Sequence, residues 1–127
     1  MRYSFDRHEG LIIVRAELFG PSGSIVVRLA LDTGATSTTI NAGLLNSIGY
    51  DPALVPDRVQ LTTGSAVEYA PRLSVNRIEA LSQERSNFLV VAHTLPPTAS
   101  VDGLLGLDFF RGHELNLDFR TGVVVLS

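Results

Sequence analysis

Short apolar runs broken by Gly, Pro, Ser and Asn recur along the whole sequence, and inside them apolar and polar residues alternate one for one. A side-chain period of two fits a half-buried strand and not a helix, so the pattern requires a mostly antiparallel β fold in which helix is scarce. Residues 24–31 show it clearly: Ile25, Val27, Leu29 and Leu31 fall on one face, and Val26, Arg28 and Ala30 on the other. Further strands are expected over residues 2–7, 11–19, 58–63, 65–80, 87–93 and 123–126. In another, Leu115, Leu117 and Phe119 alternate with Glu114, Asn116 and Asp118. Turns fall at Glu9-Gly10, Gly20-Pro21-Ser22-Gly23, Gly64 and Arg120-Thr121-Gly122, and Leu95-Pro96-Pro97 cannot continue a ladder because proline lacks an amide hydrogen. One short helix fits residues 41–48, with Asn41 as cap, Leu44, Leu45 and Ile48 at helical spacing, and Gly49 as stop. An apolar strand at 123–126 needs a pairing partner, since a bare edge of that kind aggregates. A second subunit is one source of such a partner.

The 127 residues suit one domain over 1–127 with a single core, and 45% apolar against 18% charged residues is the balance of a folded protein. Thirteen acids against ten bases, with no run of Lys or Arg, argue against a nucleic-acid partner. The absence of cysteine excludes disulfides and thiol chemistry and suits a reducing compartment. Charges are scattered through the first ten residues, where a signal peptide needs an apolar stretch, so a cytoplasmic location is the expectation. No apolar run approaches the roughly 20 residues of a membrane-spanning helix, so no membrane partner is expected. Neither a phosphate-binding loop nor a dinucleotide fingerprint occurs, and His8, His93 and His113 are not at metal-ligand spacing. No cofactor and no metal are expected, with Asp102 read as a turn residue and Asp108 as a helix-start or surface acid.

Leu29-Ala30-Leu31-Asp32-Thr33-Gly34-Ala35-Thr36 places a carboxylate at the end of an apolar strand, followed by a small hydroxyl residue and glycine. Gly34 lets the backbone turn with its amide toward the acid, and the Thr33 hydroxyl can hold the loop by a hydrogen bond. A carboxylate fixed in this way can act as general base on a water, provided that a second acid returns a proton. Asp-Thr-Gly alone would occur by accident in about one chain of this length in fifty. Asp32 to Thr36 nevertheless resembles the catalytic signature of the retropepsin-like aspartic proteases, and two further segments follow in that family's order. Leu104-Leu105-Gly106 resembles the hydrophobic-hydrophobic-glycine motif that packs beneath the catalytic loop and leads into a short helix. The hairpin with Thr62-Thr63-Gly64-Ser65 at its tip resembles the flap that closes over substrate, although it is poorer in glycine than viral flaps.

The resemblance implies a mostly-β, single-domain retropepsin-like barrel with one or two short helices, acting as a homodimeric aspartic endopeptidase on a peptide or protein substrate. Asp32 is the expected catalytic residue. Thr33 and Gly34 would orient it, Ala35 and Thr36 would shape the adjoining wall, Thr62 to Ser65 would contact substrate, and Leu104 to Gly106 would support the loop. Only one Asp-Thr-Gly is present, so a twofold axis would have to bring Asp32 against its copy. Residues 2–5 and 123–126 are interface candidates because this family often builds its dimer sheet from chain ends. The alternative is a retropepsin-like dimerisation or peptide-binding module with weak or absent proteolysis.

Overall fold

A computed structural model describes residues 2–62 and 66–127, and in it the alternating runs become ten strands. They are β1 (Arg2–Ser4), β2 (Ile13–Gly20), β3 (Gly23–Leu31), β4 (Thr39–Asn41), β5 (Arg58–Thr62), β6 (Val67–Ala80), β7 (Gln83–His93), β8 (Gly103–Leu105), β9 (Leu115–Asp118) and β10 (Val123–Leu126). Two short helices, α1 (Ala42–Ser47) and α2 (Leu107–Phe110), and a single 3-10 turn at Pro52–Leu54 complete the described elements. None of these helices is long and apolar enough to cross a membrane.

Strand order β2-β3-β8-β4-β7-β6 closes on itself because β6 also pairs with β2, through Ala16↔Ala80 to Phe19↔Arg77. The result is a barrel whose inner face is the core: Leu18, Val27, Leu29, Ile40, Val75, Ile78, Val90, Leu105 and Phe109 are all buried. Each such side chain stabilises the fold by about 1.5–3 kcal/mol relative to exposure. β5 continues outward from β6 as a hairpin, Arg58↔Pro71 to Thr62↔Val67, and is the last strand of its sheet. The chain ends form a separate sheet, β1-β10-β9, whose Val124 and Leu126 join the core.

β8 lies between β3, to which it is parallel, and β4, to which it is antiparallel. So close is the approach that a Cβ on Gly103 would lie 1.9 Å from the Thr39 carbonyl oxygen, a backbone atom that cannot rotate away. Gly103→Ala is expected to cost about 3 kcal/mol or more by forcing these strands apart. Gly10→Ala, with nothing within 4 Å, should stay within about 0.5 kcal/mol of wild type. Denaturant midpoints of the two variants check this, and equal midpoints would refute the close-packing argument.

Several expectations need correction. β10 is paired on both edges inside its own chain, by β1 (Tyr3↔Val124) and by β9 (Val124↔Leu117), so its apolar character requires no second subunit. β7 begins at Gln83 rather than 87. Asn87 is a left-handed interruption at φ 51°, across from Asn76, whose N–H is turned to the Tyr50 hydroxyl at 2.8 Å. The turn preceding β7 is made by Leu81 and Ser82 at φ 50° and 56°, without the Gly or Asn that such a turn favours. Burial of Leu81 and a hydrogen bond between Ser82 Oγ and the Tyr3 hydroxyl offset the strain. Phe119 lies outside β9 and is exposed, edge-on to Phe5 at 5.8 Å. Asp118 ends the strand by accepting from the N–H groups of Thr121 and Arg120, and the Thr121 bond is the main reason its carboxyl is held below the ordinary carboxylate range. The helix reading holds: the Asn41 side chain accepts from Gly43 N–H at 3.2 Å and α1 stops before Gly49.

Candidate functional site

Asp32 follows directly from the β3–β8 ladder. Leu31 stands opposite Leu105, and Asp32 N–H donates to the Leu105 carbonyl at 3.0 Å, so the register of the barrel fixes the backbone of the acid. The chain then turns: Ala35 N–H donates to the Asp32 carbonyl at 3.2 Å, and Gly34 N–H donates to Asp32 Oδ1 at 2.8 Å. Gly34 thus turns its amide toward the acid, as the sequence suggested, and does so without a left-handed conformation. A Cβ there would stand 3.1 Å from Asp32 Oδ1, and the glycine serves to keep that approach open. Asp32 Oδ2 has no hydrogen-bond partner among the described residues and is the oxygen available to a water or substrate.

The hydroxyl that holds the loop is not that of Thr33, which is exposed, but that of Thr38. Thr38 is fully buried. Its Oγ1 accepts from Gly106 N–H at 3.1 Å and donates to Asp108 Oδ1 at 2.7 Å, while its N–H donates to both Asp108 oxygens at 3.0 and 2.9 Å. Leu107 N–H donates to the Ala35 carbonyl at 2.8 Å. Gly106 is pressed so closely beneath the loop that a Cβ would meet the Ala35 and Ser37 carbonyl oxygens at 2.8 Å. Leu104-Leu105-Gly106 thus braces the Asp32 loop from below, with Leu105 wholly in the core. Asp102 accepts from Arg28 N–H at 2.8 Å, so both acids flanking the motif are spent on backbone hydrogen bonds. Among the described residues no three acids or histidines converge as a metal site would require.

Beside Asp32 lies a cleft of about 640 Å³. Its floor is the outer face of β8, β4 and β7, where Leu104, Thr39 and Val91 form a row across three strands. Of the residues expected at the site, Asp32, Gly34, Ala35, Thr36, Thr62 and Leu104 line the cleft, whereas Thr33 does not. Thr63, Gly64 and Ser65 fall outside the described residues. The remaining walls come from Ser37, Val59, Gln60, Leu61, His93 and Leu95, none of which the sequence placed at the site. Alternation of Val59 and Leu61 in β5 was a usable signal. Asp32 is the one carboxylate among the lining residues.

A family model described as aspartyl protease matches residues 14–109, a span that holds the Asp32 loop, the β5–β6 hairpin and Leu104-Leu105-Gly106 but not the terminal sheet. No curated protein matches the chain. Among solved structures it is similar to the crystal structure of a retropepsin-like aspartic protease from Rickettsia conorii, with a TM-score of 0.73 over 99% of this chain and 88% of that one, at 16% sequence identity.

Proposed function

The chain belongs to the aspartyl protease family and has the retropepsin-like fold, and from this premise we propose that it is an endopeptidase whose water is activated between two Asp32 carboxylates, one from each subunit of a homodimer. The observation that carries the proposal is a cleft with a fixed, half-exposed carboxylate and no second acid among the described residues that line it. Two carboxylates sharing a site cannot both ionise, so the pair keeps one proton, the arrangement for which aspartic proteases are the standard example. The ionised member takes a proton from water as its oxygen attacks the peptide carbonyl carbon, and the protonated member supplies the proton that leaves with the amine as the C–N bond breaks. An extended peptide is the substrate shape that suits the cleft. β5 ends its sheet, so its outer edge offers unpaired backbone groups along Val59 to Thr62, and the β5–β6 hairpin would close over the bound chain.

The second subunit would cover the face around Asp32, where Thr33, Gly34 and Leu11 are exposed. Leu11 precedes Ile12, whose carbonyl accepts from Leu31 N–H at 2.9 Å, and so lies close to the loop. Subunit mixing tests the arrangement. With equal amounts of wild type and Asp32→Asn allowed to exchange, about one dimer in four keeps both aspartates, and activity should fall to about one quarter of that of the same amount of wild-type dimer. A value near one half would mean that each subunit works alone.

A further inference from the structure

We infer that His93 selects substrates whose side chain, at the subsite it borders, has an apolar stem ending in an oxygen acceptor, as in Gln or Glu; this deepens the peptidase reading above and rests on it. Alternation along β7 places Phe88, Val90 and Ala92 against the core, so Leu89, Val91 and His93 share the opposite face. Val91 belongs to the cleft floor with Leu104, and His93, opposite Asn41, stands one step along the same face, about 6–7 Å farther on. A side chain entering beside Asp32 therefore meets hydrocarbon first and an imidazole after it.

The imidazole is uncommitted. His93 is half-buried, and its ring makes no hydrogen bond or ion pair with any described residue. Apart from Asp32 it is the one ionisable residue among the described residues that line the cleft. Among the described residues it is also the one that lines both the cleft and an adjoining groove of about 430 Å³, bordered by Pro52, Glu68 and Tyr69. A neutral imidazole offers one donor and one acceptor, and a protonated one offers two donors, so either form can donate to a carbonyl or carboxylate oxygen. The acids among the described residues that line these two spaces are Asp32 in the cleft and Glu68 in the groove. Removing a built hydrogen-bond partner discriminates between isosteres that hydrocarbon contact alone cannot separate.

The test compares peptide sets identical except for Gln, Glu or the apolar isostere Met at each position around the scissile bond, cleaved by wild type, His93→Leu and His93→Gln. At one position wild type should favour Gln or Glu over Met by about five- to tenfold in kcat/KM. His93→Leu should bring the ratio close to one while still cutting the Met peptides, and His93→Gln should restore part of it. The Gln and Glu arms separate neutral hydrogen bonding from charge attraction, and a preference in either arm supports the inference. A wild-type profile without that preference, or one that His93→Leu leaves unchanged, overturns the inference and spares the peptidase reading. If wild type cleaves no member of the set, both fall together.

Discussion

Asp32→Asn should lower peptidase activity by at least about a thousandfold and leave the fold in place. Proton transfer by a positioned acid or base contributes roughly 10²–10⁴ to rate, and here the same substitution removes it from both sides of the site. The scaffold has little reason to respond. An asparagine carbonyl oxygen can still accept from Gly34 N–H at the position of Oδ1, and the other bonds that set the loop do not use the Asp32 side chain: Asp32 N–H to Leu105, Ala35 N–H to Asp32, Leu107 N–H to Ala35 and the Thr38 bonds to Gly106 and Asp108. Asp32→Asn should therefore unfold at the wild-type denaturant concentration and still bind the peptides it no longer cuts. Cleavage of a mixed peptide library, followed from acidic to neutral pH, is the measurement. Persistent cleavage by the purified variant would remove Asp32 from the chemistry. If wild type itself binds peptides and cuts none of them, the binding-module alternative is the better description.

What could be read from the sequence was what depends on neighbours along the chain. Asp32, Gly34 and the apolar run before them are contiguous, and the strand alternation of Ile25, Val27 and Leu29 needs no tertiary information. Asn41 and Gly49 mark α1 because capping is a local hydrogen-bonding problem. The parts that escaped are set by distant partners. β4 and β8 have three residues each and exist because β3 and β7 supply their hydrogen bonds. Leu81 and Ser82 make a left-handed turn against their own preference because Leu81 is buried and Ser82 meets Tyr3, 79 residues away. His93 looked like any strand histidine until parity and register put it on the cleft face.

Thr38 is the sharpest case, since nothing marks it among the neighbouring Thr36, Ser37 and Thr39 and its partner Asp108 is 70 residues away. Thr38→Val keeps the shape and deletes the hydroxyl, which strands Gly106 N–H in a buried place and takes one donor from the Asp108 carboxylate. An unpaired buried donor costs about 1–3 kcal/mol, and a hydrogen bond to a charged group is worth about 1.5–3 kcal/mol, so a loss of about 3 kcal/mol is expected. For a chain of this length that lowers Tm by about 10 °C. Thr38→Ser retains the hydroxyl and gives up one methyl group, and should cost only about 1 kcal/mol. Asp108→Asn should couple to Thr38→Val by about 1 kcal/mol in a double-mutant cycle, because both act on one network. The network also sits under Asp32, so at temperatures where Thr38→Val is still fully folded its kcat should fall by about tenfold or more, with KM less affected. Thr38→Ser should keep nearly all of the wild-type kcat. Matching stability and kcat in the Val and Ser variants would show that packing alone, and not this hydrogen-bonded knot, holds the Asp32 loop in place.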